Sequence, residues 1–168
     1  MPRIWSFFAL LIVPALAFSA PLSLSVNAEA AIVMNGDTGV ILYAKNIHKK
    51  MIPASTTKVA TALYALKRVK NFEEAVIVDN EAVVSITAAA KKKSNYSMPA
   101  YWQEPDGTHM GLKAGEQLTL GDLFYGLMLV SGNDAANQIA IHLDKTVPAF
   151  MSNLNEYLKE IGCQNTHF

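Results

Sequence analysis

The segment from Ser55 to Leu66 constrains the fold more than any other part of the sequence. It contains neither glycine nor proline, and after Lys58 only Thr61 and Tyr64 interrupt its apolar residues. A proline and several hydroxyl side chains stand at its beginning, as is usual where a helix starts. The pattern predicts a helix that is buried nearly all round, and such a helix needs other elements packed around it.

Two short apolar runs nearer the amino terminus predict a β-hairpin. Residues 30–34 and 40–43 are β-prone, and the segment between them, Asn35-Gly36-Asp37-Thr38-Gly39, is dense in turn-forming residues. Because two strands alone are unstable in water, the hairpin needs further strands or covering helices. Hairpin and helices together predict an α+β fold.

Two apolar runs separated by a short polar turn dominate the second half of the chain. Thr119 with Asp122 three residues later is a capping pattern, and it precedes an apolar helix over 120–130. That helix stops at Ser131-Gly132-Asn133-Asp134, and a second apolar run over 135–143 follows at once. The turn is therefore expected between two buried helices.

Two other segments complete the pattern. Residues 81–90 are compatible with a short helix, whereas Lys91 to Gly107 combines a lysine run, prolines and aromatic residues and predicts a surface loop. Apolar residues at helical spacing over 148–161 predict a last amphipathic helix that ends at Gly162.

The first 28 residues have the pattern of a secretory signal peptide. Arg3 gives a positive start, residues 4–18 are apolar and uncharged, and small residues precede Glu29. An uncleaved anchor helix is the alternative, but the run is shorter than the roughly 20 residues that span a bilayer, and Pro14 interrupts it. We expect cleavage after Ala28, an exported protein, and one folded segment over residues 29–168.

Composition excludes several classes of protein. The 14 basic residues balance the 14 acidic ones, and 51% of the chain is hydrophobic, so neither a nucleic-acid-binding protein nor a disordered chain is expected. The single cysteine, Cys163, excludes a disulfide scaffold and is expected to be a small core residue rather than an intermolecular disulfide. None of the four histidines has ligand spacing, so we expect no metal site and no cofactor.

Ser55 and Lys58 form a possible nucleophile and base. Three residues apart in the first turn of a helix, their side chains emerge on one face. Burial can bring the lysine ammonium close to losing a proton at neutral pH, and the neutral amine can then take the proton of the serine hydroxyl. A capping serine beside an ordinary surface lysine would give the same spacing of three residues.

Ser131 and Asn133 are a second pair of candidate site residues. In a turn between two helices, a serine can relay a proton to a leaving amine and an asparagine can hydrogen-bond a substrate amide. An ordinary helix-to-helix turn would use the same residue types.

In their order along the chain, these motifs resemble those of the D-alanyl-D-alanine carboxypeptidases, the low-molecular-mass penicillin-binding proteins of the serine peptidase and β-lactamase superfamily. The resemblance covers nearly all residues from Ala30 onward and implies a β-lactamase/DD-peptidase-like α+β fold. It rests on the following segments: Asn35-Gly36-Asp37-Thr38-Gly39, Pro53-Ala54-Ser55-Thr56-Thr57-Lys58, Gly111-Leu112-Lys113-Ala114-Gly115-Glu116, Ser131-Gly132-Asn133-Asp134-Ala135-Ala136 and Asn165-Thr166-His167-Phe168.

The resemblance implies a role for each motif residue. Ser55 would attack the penultimate D-alanine of a peptidoglycan stem peptide that ends in D-Ala-D-Ala, Lys58 would accept the serine proton, and Ser131 would protonate the departing D-alanine. Asn133 would hold the substrate backbone, with Lys58 as a further partner. The resemblance also implies β-lactams as covalent inhibitors and a place in the bacterial periplasm or on the outer face of the cytoplasmic membrane, with membrane association only through a carboxy-terminal anchor.

The third family motif, Lys-Thr-Gly, does not occur in the 168 residues. Lys145-Thr146-Val147 shares two of its letters but stands where a helix cap belongs. We therefore expect an amino-terminal portion of a longer catalytic domain, inactive or nearly so by itself. The alternatives are a class A-like β-lactamase, against which Gly132 argues because class A enzymes have aspartate there, and a truncated, non-catalytic wall-binding or β-lactam-binding module.

Overall fold

The structure, a computed structural model, describes residues 24–168. The predicted signal peptide lies outside the described residues except for 24–28, which form neither helix nor strand. The chain divides into two compact units, one up to Met51 and one from Ile52 onward.

The first unit contains the predicted hairpin. Strands β1 (Ala31–Met34) and β2 (Ile41–Lys45) pair antiparallel. The Asn35 side chain closes the turn by accepting the backbone N–H groups of Asp37 and Thr38 at 3.0 and 2.8 Å. The hairpin prediction is confirmed.

The second unit is mainly helical and carries a second antiparallel strand pair. A 3₁₀ turn over Ala54–Thr56 leads directly into its first helix. In chain order its elements are α1 (Thr57–Arg68), β3 (Ala75–Ile77), α2 (Ala88–Lys93), β4 (Gln117–Thr119), α3 (Leu120–Leu129), α4 (Asn133–Asp144) and α5 (Val147–Glu160), with β3 paired to β4.

Helix α4 lies between two apolar clusters that form the core of this unit. Its Ile139 belongs to the first cluster and its Ala140 to the second, and α1 contributes to both. Fully buried side chains include Leu120, Leu123, Leu127, Ile139, Phe150 and Leu154.

The predicted caps of the later helices are confirmed. Thr119 accepts the backbone N–H of Asp122, and the Asp122 carboxylate accepts from the Thr119 backbone, so the two form a reciprocal capping box. Gly162 follows α5 with a φ of +97°, the left-handed conformation predicted for it. Cys163 is partly buried against the second cluster.

Two predictions were wrong in detail. Helix α1 buries only one face, and Val59, Leu63 and Leu66 on its other side are exposed. The loop predicted from residue 91 starts instead as helix α2, because alanine and lysine are good helix formers and Thr87 caps the helix by accepting the N–H of Ala90 at 3.2 Å.

Within residues 24–168, no helix has both the length and the apolar character needed to cross a bilayer.

Candidate active site

Ser55 and Lys58 lie where the 3₁₀ turn becomes helix α1. The Lys58 Nζ is 3.5 Å from the Ser55 Oγ. Ser55 is exposed, while Lys58 retains only 9% of its accessible surface. Ala54, just before the serine, has a φ of +47°, a strained conformation for a residue with a side chain. A reachable hydroxyl and a buried amine therefore share one turn.

Burial governs the ionisation of Lys58. Removing the ammonium from water lowers the pKa of Lys58 below its ordinary value, and the Asp134 carboxylate partly offsets this lowering. The Lys58 Nζ donates to the Asn133 Oδ1 at 2.8 Å. That hydrogen bond fixes the amine beside the serine while burial increases its neutral fraction.

The turn between α3 and α4 supplies the second pair. Ser131 adopts a φ of +57°, and Gly132 N–H donates to the carbonyl of Gly126 at 2.9 Å. Asn133 is already the first residue of α4, so its side chain points from a helix start rather than from a loop. The Ser131 Oγ is buried and has no hydrogen-bond partner among the described residues.

Three of the four predicted site residues line the same cavity, and the fourth does not. Ser55, Lys58 and Asn133 line one open cavity of about 870 Å³, whereas Ser131 is not among its lining residues. The cavity runs between α1, α4 and the beginning of α5, and the segment that follows α2 forms most of its remaining wall, together with Lys91 and Phe168. It is large enough for a peptide-sized ligand.

The sequence did not predict that the segment after α2 would form a wall of this cavity. Tyr101 Oη and Trp102 Nε1 both donate to the Glu81 carboxylate at 2.8 Å, which fixes two aromatic residues along the cavity. These hydrogen bonds lower the pKa of Glu81, that from Trp102 most. Asn137 of α4 donates to the Tyr101 carbonyl at 3.0 Å. No local pattern predicts such partners, because they stand 20 to 36 residues apart in the chain.

No group of three or more His, Cys, Asp or Glu side chains suited to a metal ion occurs between residues 24 and 168.

The family model described as D-alanyl-D-alanine carboxypeptidase, Peptidase_S11, matches residues 16–168. The chain belongs to this family. It is 32% identical to the D-alanyl-D-alanine carboxypeptidase DacA of Haemophilus influenzae over 85% of its length, and 32% identical to DacD of Salmonella typhimurium over 97%. The matches cover 33% and 40% of those two proteins, so the chain spans between a third and two fifths of their length.

Solved structures of the family share the fold. The carboxypeptidase DacD from Francisella tularensis superposes with a TM-score of 0.72 at 28% identity, covering 89% of this chain and 32% of that one. Penicillin binding protein 5 from Haemophilus influenzae gives a TM-score of 0.70 at 30% identity, covering 88% and 39%. The DD-peptidase-like α+β fold expected from the sequence is thus confirmed.

Proposed function

We propose that this chain carries the nucleophile and the base of a serine-type D-alanyl-D-alanine carboxypeptidase that acts on peptidoglycan stem peptides. The observation that carries the proposal is the placement of Ser55, Lys58 and Asn133 in one cavity, with the lysine amine within reach of both partners. Membership of the family supports the same reaction.

The reaction proceeds by acyl transfer. The Ser55 Oγ attacks the carbonyl carbon of the penultimate D-alanine, and its proton passes to the neutral Lys58 amine as the C–O bond forms. The C–N bond to the terminal D-alanine then breaks, and the proton that Lys58 accepted passes to the departing nitrogen, with the relay assigned to Ser131. Water hydrolyses the ester on Ser55, which releases the shortened peptide and restores the hydroxyl.

A β-lactam uses the same first step. Attack by Ser55 opens the four-membered ring by breaking its C–N bond, and the ring nitrogen takes the proton. Because that nitrogen stays tethered to the acyl group, the adduct persists and serves as a record of nucleophile activity. Penicillins are therefore suitable probes of the proposed site.

The oxygen and the nitrogen of the Asn133 side-chain amide can bind different partners. Its Oδ1 accepts from Lys58, so its Nδ2 group remains a donor. Both Asn133 and Lys58 line the cavity. We assign the amide donor to a carbonyl of the substrate backbone.

A penicillin-labelling experiment tests the nucleophile. We expect intact-mass spectrometry to find one penicillin adduct on the chain and peptide mapping to place it on Ser55. Ser55→Ala should abolish the adduct, whereas the control Ser152→Ala, an exposed serine of α5, should label like the wild type. Labelling that persists in Ser55→Ala, or no adduct on the wild type after prolonged exposure, would contradict the proposal.

Labelling of the 168-residue chain should be slow. In the family, the Lys-Thr-Gly strand is expected to bind the substrate carboxylate and to provide an oxyanion-hole N–H, and the sequence contains no such triplet. Because one lost oxyanion donor costs roughly 100- to 1000-fold in rate, we expect labelling at least about 100-fold slower than that of a complete family enzyme measured beside it. Equal rates would contradict this expectation.

The absence of that triplet favours one second candidate, a non-catalytic module that binds β-lactams or wall peptides. Reading the gene downstream of Phe168 separates the two, because an in-frame Lys-Thr-Gly supports the enzyme. D-alanine release measured against nitrocefin turnover separates the carboxypeptidase from a β-lactamase.

We also propose that the protein is exported, with the periplasm or the outer face of the cytoplasmic membrane as its location. The charged start, apolar run and small residues before Glu29 support this. Mass spectrometry of the protein recovered from a bacterial periplasm should give an amino terminus at Glu29. Recovery of the uncleaved chain from the cytoplasm would contradict it.

A further inference from the structure

Residues 107–112, here called the strap, run beside the turn that carries Ser131 and Asn133. The strap contacts both ends of this turn. Thr108 Oγ1 donates to the Ser131 carbonyl at 2.7 Å, and the Thr108 carbonyl accepts the Asn133 N–H at 2.8 Å. The backbone of both proposed site residues is therefore held by one residue of the strap.

Asp134 anchors the other half of the strap. The residue is only 2% exposed, and its carboxylate accepts three strap N–H groups at 2.8 to 3.0 Å. It also accepts the N–H of Ala135 at 2.9 Å. The strap donors are Met110, Gly111 and Leu112.

These hydrogen bonds are strong because the acceptor is charged. Burial by itself would raise the pKa of Asp134, but the backbone donors outweigh burial and hold it below its ordinary value. The carboxylate is therefore ionised at neutral pH, and every strap donor near it has a charged partner.

The packing around the turn leaves little freedom for adjustment. A side chain at Gly132 would bring its Cβ to 2.9 Å from the Asp134 Oδ1 and 3.2 Å from the Met110 nitrogen. The strap and the turn are therefore packed so closely at Gly132 that no side chain fits between them.

We propose that Asp134 is a positioning residue of the site: it fixes the strap, and the strap fixes Ser131 and Asn133 so that the Asn133 side chain meets Lys58. The catalytic meaning of this inference rests on the proposed function. The Asp134 carboxylate holds the N–H groups of residues 110–112 in the strap. Thr108 of the same strap holds the turn, and Asn133 of the turn accepts from the Lys58 amine.

Asp134 also acts on Lys58 through its charge. Its carboxylate favours the ammonium form, in opposition to burial. Asp134 does not itself line the cavity; the charged side chains that do, besides Lys58, are Lys91, Glu104 and Asp106, and Lys91 is paired with Glu104 at 3.4 Å. The cavity-lining residues of α5 are uncharged, and α3 contributes none among the described residues. Neutralising Asp134 should therefore lower the pKa of Lys58 further.

The variant Asp134→Asn tests both effects at nearly constant shape. Its amide can still accept one or two N–H groups, but its NH₂ group faces the remaining strap donors and repels them. With ¹³C-labelled lysine, NMR titration should show a lower midpoint for Lys58, and the Asn133 side-chain amide resonance should move. The N–H groups of Met110, Gly111 and Leu112 should exchange with solvent at least about tenfold faster, because their hydrogen bonds to residue 134 are weakened. A tenfold change requires the loss of only a small fraction of the global stability.

Asp144→Asn is the matched control. Asp144 lies on the same helix but is held by an ion pair, to Arg68 at 2.5 Å, rather than by backbone N–H groups. We expect this variant to lower the melting temperature while the Lys58 titration and the Asn133 resonance stay unchanged. A purely structural role for Asp134 predicts the same result for both variants, which would overturn the proposal.

Penicillin acylation of Ser55 supplies the functional readout. Per folded molecule, Asp134→Asn should acylate more slowly, roughly 100-fold if the turn moves by about 1 Å, although more of its Lys58 is in the base form. An unchanged or faster rate would overturn the positioning role. If the wild-type chain forms no adduct, the proposed function fails, while the two NMR measurements still decide the positioning role.

Thr108→Val gives a second variant in case Asp134→Asn does not fold. Thr108 is exposed, and the substitution keeps its shape while removing the hydrogen bond to Ser131. The Ser131 and Asn133 resonances should shift in a fully folded protein. Spectra identical to those of the wild type would overturn the role of the strap.

Discussion

Lys58 combines two conditions that conflict in most proteins, since its amine is buried and yet has polar partners on both sides. Burial lowers its pKa from the ordinary lysine value of 10.5, with Asp134 opposing the shift. The hydrogen bond to Asn133 prevents the amine from turning away. The geometry thus favours proton transfer from Ser55 at lower pH than an exposed lysine would allow.

This has a consequence for the pH dependence of penicillin labelling. The rate should rise with pH as Lys58 loses its proton, with a midpoint below that of an exposed lysine, because its pKa is lowered. Lys58→Arg should lose the rise and nearly all labelling, since the guanidinium does not deprotonate in this range. A midpoint at or above the ordinary lysine value would show that burial does not control this amine.

Gly107 of the strap lies beside the Asn133 side-chain amide. A Cβ at this position would lie 3.0 Å from the Asn133 Nδ2 and 3.0 Å from the Glu104 carbonyl oxygen. Gly107→Ala should therefore displace the amide by a few tenths of an ångström and slow Ser55 acylation by roughly tenfold, a fraction of the penalty for a 1 Å misplacement.

Gly36→Ala is the control for this substitution, because a Cβ at Gly36 would meet nothing within 4 Å. Acylation rates of the two variants should be compared at equal folded fractions, measured by circular dichroism. Equal rates in Gly107→Ala and the wild type would mean that the amide tolerates the added methyl group.

Among the helices, α3 depends most clearly on a local signal. Thr119 caps its first turn by accepting the N–H of Asp122 at 3.1 Å. Thr119→Ala should lower the free energy of unfolding by about 1 kcal/mol, as measured by urea denaturation. Thr166→Ala, at an exposed position after the last helix, should change stability by less than about 0.5 kcal/mol. A Thr119→Ala variant as stable as the wild type would show that packing alone holds the helix end.

Local patterns predicted the elements that local chemistry builds. The Thr119 cap and the apolar spacing before Gly162 located α3 and the end of α5. The β3–β4 pair was missed, because its strands of three residues each depend on a partner some 40 residues away in the chain. The outer face of α1 was misjudged, since an apolar sequence alone does not show which face is covered.

In the candidate site, too, motif residues were predicted and residues that depend on distant partners were not. Ser55, Lys58 and Asn133 were predicted from motifs, and the structure brings them together. Asp134 was noted only as part of a turn, because its three strap donors stand 22 to 24 residues earlier and share no pattern with it. The proposed roles of the site residues remain predictions that labelling must test.

At the scale of the second unit, two apolar clusters share helices α1 and α4, and the proposed site residues Lys58 and Asn133 stand where these helices begin. Lys58 lies one turn before Ala62 of the first cluster, and Asn133 lies two residues before Ala135 of the same cluster. Packing of this cluster therefore fixes the distance between the two helix starts. Core stability and site geometry depend on the same contacts.

A pair of leucines on α3 tests where this core ends. Leu123 is fully buried and Leu129 is 77% exposed, although both occupy the same helix. Leu123→Ala should lower the free energy of unfolding by about 2 to 5 kcal/mol, because it removes buried methyl groups and leaves a cavity. Leu129→Ala should change it by less than about 0.5 kcal/mol. Urea denaturation followed by tryptophan fluorescence measures both, and a large loss in Leu129→Ala would reveal that the exposed side of α3 is covered in solution.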